Sequence, residues 1–218
     1  AMLNLAGGSE ASVVVIPFAS KGKRVGEKDR EEWVAAGAVQ VTNLGRMSKA
    51  AARDAIRKAK IIWLGGGAQL RLMETLRTMD LVDLIRQRHA AGALIGGTSA
   101  GAAALSRVMI SGKPRPRPLQ PGAMIAHQGL GVWPSVIVDQ HFVARKRQSR
   151  LVTAVIDQPD LVGVGVGEDT AVIYAQGRIQ VMGTGSVIIF DARRAVRHTG
   201  SPQAATGLTL HVLRNGCL

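Results

Sequence analysis

Aromatic side chains are scarce in this 218-residue chain: three Phe, three Trp and one Tyr, or 3%. So few rings cannot build a stacking platform for single-stranded nucleic acid. A single cysteine, Cys217, excludes an internal disulfide. No apolar run approaches the roughly 20 residues that a membrane helix needs. The opening AMLNLAGGSE has neither the basic n-region nor the long apolar h-region of a signal peptide, so the expected location is the cytoplasm. No His, Cys, Asp or Glu cluster has metal-ligand spacing, and no metal or other cofactor is expected. Acidic residues are also few: 15 against 28 Lys and Arg, a net charge of +13. Such a charge attracts polyanions whether or not binding them is the function. The densest basic segments, GKPRPRPLQPG (112–122) and ARKRQSR (144–150), come with no recognised nucleic-acid motif and read as solvated surface.

What the chain has is glycine, 26 residues, within a 46% hydrophobic composition. This suits an α/β protein with many tight turns, and the length fits a single domain over 1–218. Short β-branched runs recur at 12–17, 60–67, 93–97, 135–139 and 161–166, apolar at successive positions like strands covered on both faces. Helical patterns lie between them at 48–60, 69–79, 80–92 and 145–159, with Ser48 and Asp80 placed to cap and Gly92 to terminate. The alternation predicts a three-layer fold, a largely parallel sheet flanked by helices. From 171 to 191 glycine turns separate successive strands, which predicts antiparallel hairpins. The proline-rich stretch 114–121 reads as an exposed loop.

Ligands of such sheets bind beyond the carboxyl ends of the strands. The turns expected there hold GGGAQ, GGTSAG, DQHF and GEDTA. In the second, Ser99 is the centre of a G-x-S-x-G pattern between an apolar run and an alanine-rich one. That pattern suits a serine lifted clear at a strand-to-helix turn, although small residues also serve ordinary turns. A serine nucleophile needs a base and a group to orient it. His89 lies in a helical pattern, His127 ends the proline-rich loop, His198 follows a basic run and His211 alternates within a strand. His141, just after a strand, is the best placed. Two orders remain open from the residues: Ser99 with Asp191 and His198 or His211, and Ser99 with His141 and Glu168.

The segments GGGAQLRL, IGGTSAGAAALS, VIVDQHFVARKRQSRL and GVGVGEDTAVI, in that order, resemble the cyanophycinase family of serine peptidases, family S51, whose relatives include aspartyl dipeptidases. The likeness runs from AGGSEASVVVIPFAS to GTGSVIIFD. It implies a class I glutamine amidotransferase-like fold, with Ser99 as nucleophile, His141 as base and Glu168 as third member of the triad. It also implies substrate-pocket roles for Gln69, Asp139, Gln140, Arg145, Arg147 and Arg150. The backbone N–H groups of Ala100 and Gly67 would form the oxyanion hole. The implied substrate is cyanophycin, a poly-aspartate carrying arginine on each side chain, released as β-Asp-Arg. Short aspartyl peptides, or a non-catalytic basic protein binding nucleic acid on the same fold, are the alternatives. Ala68 and Gly167 stand where the family usually has aspartate. The chain begins at LNLAGG without the family's first strand, which implies a sheet one strand short or completed in a homodimer.

Overall fold

Val13–Ile16 and Ile61–Leu64 consist of apolar residues only, and they form the inner pair of a parallel sheet in the computed structural model of the chain. The structure describes residues 1–22, 24–110, 119–198 and 200–217. The chain folds as two compact units, residues 1–105 with 129–132, and residues 106–128 with those from 133 onward. The first unit contains α1 (Met2–Leu5), β1 (Val13–Ile16), α2 (Glu27–Ala35), β2 (Val41–Asn43), α3 (Lys49–Lys58), β3 (Ile61–Leu64), α4 (Gln69–Thr78), α5 (Val82–Ala90), β4 (Leu94–Gly97) and α6 (Ala100–Ala104). Its four strands lie in the order β2-β1-β3-β4, all parallel. Inner strands of such a sheet are covered on both faces, hence their unbroken runs of Val, Ile and Leu.

The helices form for separate reasons. In α3, the Ser48 hydroxyl accepts the Ala51 N–H at 3.3 Å, as a capping serine does, and Ala52 and Ile56 face inward. Helix α2 buries none of its residues. It is held by half-buried Trp33, packed edge-on against Trp63 with ring centroids 5.5 Å apart, by Glu27 and Asp29 in its first turn, by the Arg30–Glu27 pair at 3.1 Å, and by Asn43, whose amide donates to Glu27 Oε1 at 2.8 Å. Gly92, with φ 92°, terminates α5 as expected. Asp80 does not cap it: Leu81 holds that position, and the Asp80 carboxylate pairs with Lys49.

The second unit contains β5 (Val108–Ile110), β6 (Ala126–Gln128), β7 (Val136–Gln140), α7 (Gln148–Asp157), β8 (Val162–Val166), β9 (Thr170–Ala175), β10 (Arg178–Gly183), β11 (Ser186–Asp191), β12 (Val196–His198), β13 (Ala204–Thr206) and β14 (Thr209–Arg214). Its main sheet runs β14-β11-β8-β7, with β7 and β8 parallel and the others antiparallel. Strands β9 and β10 form a hairpin through Gln176-Gly177, both at positive φ, the geometry of a tight two-residue turn. The tail departs from successive hairpins at one point. Strand β11 leaves β10 and pairs with β8, where Val187, Ile189 and Phe190 become buried. Helix α7 covers this sheet, with Leu151, Val155, Phe142 and Phe190 in one core. Residues 111–118, which carry most of the proline-rich stretch and of the first basic segment, lie outside the described residues. Among the described residues no helix is long and apolar enough to cross a membrane.

Candidate active site

In the first unit, Ser99 follows β4 and occupies the N-cap position of α6 with φ 50° and ψ −112°. A left-handed φ costs a non-glycine residue roughly 1–2 kcal/mol, so its neighbours must hold it there. They do so by close approach. A Cβ on Gly101 would lie 2.0 Å from the Leu64 carbonyl oxygen, and one on Gly97 would lie 2.6 Å from the Gly101 carbonyl carbon. Both glycines of the motif are thus needed to set α6 directly on β3 and β4. Ser99 also sits beside the GGGAQ turn: a Cβ on Gly66 would lie 3.4 Å from Ser99 Cβ. Gly67 continues that turn at φ 136°, pressed against the Ala19 carbonyl. Gln69 opens α4, 7% exposed, and Ala100 opens α6, fully buried.

In the second unit, His141 follows β7 and Glu168 follows β8. The His141 Nδ1–H donates to Glu168 Oε1 at 2.6 Å, which leaves Nε2 as the ring's basic nitrogen. Here too the backbone is left-handed, at φ 52° for His141 and 48° for Asp169. Parallel register sets the pairing: Asp139 opposes Gly165 and Gln140 opposes Val166. The next N–H, of Phe142, donates to the Val166 carbonyl at 3.1 Å. The Phe142 ring fills the space above Gly165, where a Cβ would lie 2.4 Å from it. Asp169 belongs to the turn into β9, and its carbonyl accepts the Thr184 N–H at 3.0 Å.

The three arginines of ARKRQSR do not form an exposed row. Arg145 is exposed, whereas Arg147 and Arg150 are buried and turn onto Asp139, itself only 1% exposed. Helix α7 starts at Gln148, later than the pattern suggests. Lys146, at φ 50°, redirects the chain so that Arg147 and Arg150 share one face toward the end of β7. Arg150 Nε donates to Asp139 Oδ2 at 2.6 Å, and its second fork nitrogen bonds Oδ1. Arg147 donates to Asp139 Oδ1 at 3.2 Å, to the Gln140 carbonyl at 2.5 Å and to Gln140 Oε1 at 2.8 Å. Burial, with repulsion from Arg150, pulls the Arg147 guanidinium below its ordinary value. Expected to line a substrate pocket, Asp139, Arg147 and Arg150 are engaged with one another.

Sequence reasoning passed over Asp29, in a helix with no apolar stripe. Its carboxylate lies at the carboxyl end of β3: a Cβ on Gly65 would come within 2.9 Å of Asp29 Oδ2. Partial burial raises its pKa, while a hydrogen bond from the Trp63 indole works in the opposite direction. A carboxyl raised in this way stabilises the fold most below its unfolded pKa, and that stability is lost as pH rises through the folded value. Asp29→Asn keeps an acceptor for Trp63 and removes the charge. It should raise Tm at neutral pH, and the gain should vanish as pH falls below the ordinary aspartate range, as calorimetry at both pH values would show.

A serine on a glycine-backed strand-to-helix turn and a histidine bonded to a glutamate are the equipment of a hydrolytic enzyme. The sequence model of peptidase family S51 matches residues 1–182, and the chain belongs to that family of peptidases. It is 36% identical over 219 residues to a cyanophycinase of Nostoc sp., covering 96% of this chain and 73% of the relative. A cyanophycinase of Geminocystis herdmanii is 34% identical over 226 residues, 97% of this chain and 83% of that one. Peptidase E of Salmonella arizonae is 28% identical over 192 residues, 83% and 80% of the two chains. Among solved structures, a peptidase from an acI-B1 Actinobacterium superposes with a TM-score of 0.63 at 21% identity, covering 99% of this chain and 87% of that one. A putative peptidase E protein from Listeria monocytogenes EGD-e gives 0.59 at 17% identity, covering 82% and 89%. These likenesses show the fold, the class I glutamine amidotransferase-like one.

Proposed function

We propose that the protein is a serine peptidase that releases β-Asp-Arg dipeptides from a cyanophycin-type polymer, with Ser99, His141 and Glu168 as its triad. The observation that carries the triad is the 2.6 Å bond from His141 Nδ1 to Glu168, which fixes the tautomer a general base needs. In this reading His141 Nε2 takes the Ser99 Oγ proton as the oxygen attacks the scissile carbonyl. It then gives that proton to the leaving amine, and water repeats the sequence on the acyl-enzyme. Glu168 steadies the imidazolium formed in each half. The N–H groups of Ala100 and Gly67 stabilise the oxyanion, typically worth about 3–4 kcal/mol per donor. The reaction needs no metal or organic cofactor.

The choice of polymer is supported by the cyanophycinases being more similar to this chain than peptidase E is. A second reading, hydrolysis of short aspartyl peptides, is favoured by Ala68 and Gly167, which remove two carboxylates that could receive the substrate's arginine. Both readings predict that a fluorophosphonate labels Ser99 and that Ser99→Ala abolishes hydrolysis. Labelling at another residue, or full activity of that variant, would refute the triad. Substrate class is tested by incubating the protein with insoluble cyanophycin, β-Asp-Arg and α-Asp-Xaa dipeptides and following products by mass. Soluble β-Asp-Arg from the polymer supports the first reading, and cleavage of α-aspartyl dipeptides alone the second. Binding of an oligonucleotide that persists at physiological salt and in Ser99→Ala would point instead to the basic surface as the function.

A further inference from the structure

The trio formed by Asp139, Arg147 and Arg150 joins the end of β7 to the start of α7, immediately around the histidine of the triad. We infer that these are positioning residues: Asp139 and Arg150 hold the Arg147 guanidinium against the Gln140 carbonyl, and that contact fixes the peptide leading into His141. The inference rests on the reading of His141 as the base and assigns the trio a task within it.

Three observations support it. First, the side chains are spent inside the unit. Arg150 engages both oxygens of Asp139, and Arg147 adds a third bond, with all three residues under a tenth exposed. Buried groups of this kind are held by one another, and removing one leaves the rest unpaired. Second, Arg147 does not stop at the carboxylate. It grips both the carbonyl and the side-chain oxygen of Gln140, at 2.5 and 2.8 Å. Third, the residue that follows is strained. His141 sits at φ 52°, and relaxing it means rotating the Gln140–His141 peptide, whose oxygen Arg147 holds. The His141 carbonyl is held as well, by the Arg145 N–H at 3.0 Å. Both ends of the histidine's backbone are therefore anchored, and its imidazole is delivered to Glu168. Arg145, the exposed member of the basic run, is the arginine left to meet a substrate carboxylate.

Arg147→Lys keeps the charge but loses the planar fork, and Asp139→Asn keeps the shape but loses the charge that seats Arg147. Two readouts separate positioning from substrate binding: kcat and KM on a cleaved aspartyl peptide, and the rate at which a fluorophosphonate without any carboxylate labels Ser99. Labelling depends on the base but not on a subsite for a substrate anion. In both variants kcat and the labelling rate should fall together, by roughly 10–100-fold, with KM within about threefold of the unaltered value. Arg145→Ala should raise KM and leave labelling alone. A rise in KM with unchanged labelling in Arg147→Lys would overturn the inference and return the trio to substrate binding. If Asp139→Asn melts below the assay temperature, Arg147→Lys decides. Failure of both to fold would also overturn it, making the trio a requirement of folding rather than of His141's geometry. Absence of Ser99 labelling in the unaltered protein would refute the triad itself, a different result.

Discussion

Glu168→Gln is expected to lower kcat by about 10³–10⁴-fold while leaving KM and the melting temperature close to their unaltered values. The substitution is nearly isosteric, but it can set an amide NH₂ against the His141 Nδ1–H, which would then face another donor at 2.6 Å. The ring's remedy is to shift its proton to Nε2, and in the proposed triad the imidazole then has no basic nitrogen to take the Ser99 proton. The same kind of carboxylate-to-amide change in a Ser-His-Asp triad costs kcat about 10⁴-fold. Glu168 is half exposed, so the cost falls on catalysis far more than on folding. Its neighbour supplies the contrast. Asp169 holds a left-handed turn position, one that asparagine tolerates well, and Asp169→Asn should keep most activity. Steady-state kinetics on both variants would decide, and an inactive Asp169→Asn beside an active Glu168→Gln would exchange their roles.

Gly101→Ala is expected to be strongly destabilising, although alanine is the better helix former. The added methyl would meet the Leu64 oxygen at 2.0 Å, the Leu64 carbonyl carbon at 2.6 Å and Leu64 Cβ at 2.7 Å. None of these is the end of a flexible side chain, so α6 must lift away from β3. Forced overpacking costs typically 1–3 kcal/mol, and against backbone the upper end or more applies. For a chain of this size that lowers Tm by roughly 6–12 °C. Gly37→Ala meets no atom within 4 Å and adds only the cost of φ 95°, so it should lose less. Scanning calorimetry of the two variants tests the order. Gly101→Ala should also slow labelling of Ser99, which stands at the end of the displaced helix.

What the sequence disclosed follows a physical division. Strands β1, β3, β4, β7 and β8 were legible because each is a short apolar or glycine-apolar run after a turn. Helix α3 was legible from its capping serine. Strand β2 was not, since three residues reading Val-Thr-Asn carry no period. Helix α2 was not, because it has no apolar stripe: its support is ion pairs, a single Trp33 set against Trp63, and Asn43, the last two partners being residues of later elements. Of the proposed triad, Ser99, His141 and Glu168 were each readable as polar residues following a strand. The fate of Asp139, Arg147 and Arg150 was not. A charge run looks the same whether it meets water or a buried carboxylate eleven residues earlier. The signal was present only in the spacing of Arg147 and Arg150, three apart, once the helix start is known.

The ring of Phe142 seated over Gly165 gives the sheet a means of proofreading its own assembly. Strand β8 alternates Val162, Gly163, Val164, Gly165, Val166, so a slip of one residue along β7 would slide a valine beneath the ring. There is no space for a methyl group at that point, let alone an isopropyl. At the next glycine, a Cβ on Gly163 would already lie 2.8 Å from Val155 and 2.9 Å from Leu151. Pairings misaligned by one residue are therefore rejected by steric conflict at two places. Because His141 and Glu168 stand just beyond the ends of these strands, the chain that has aligned correctly has also, without further search, brought its imidazole to its carboxylate.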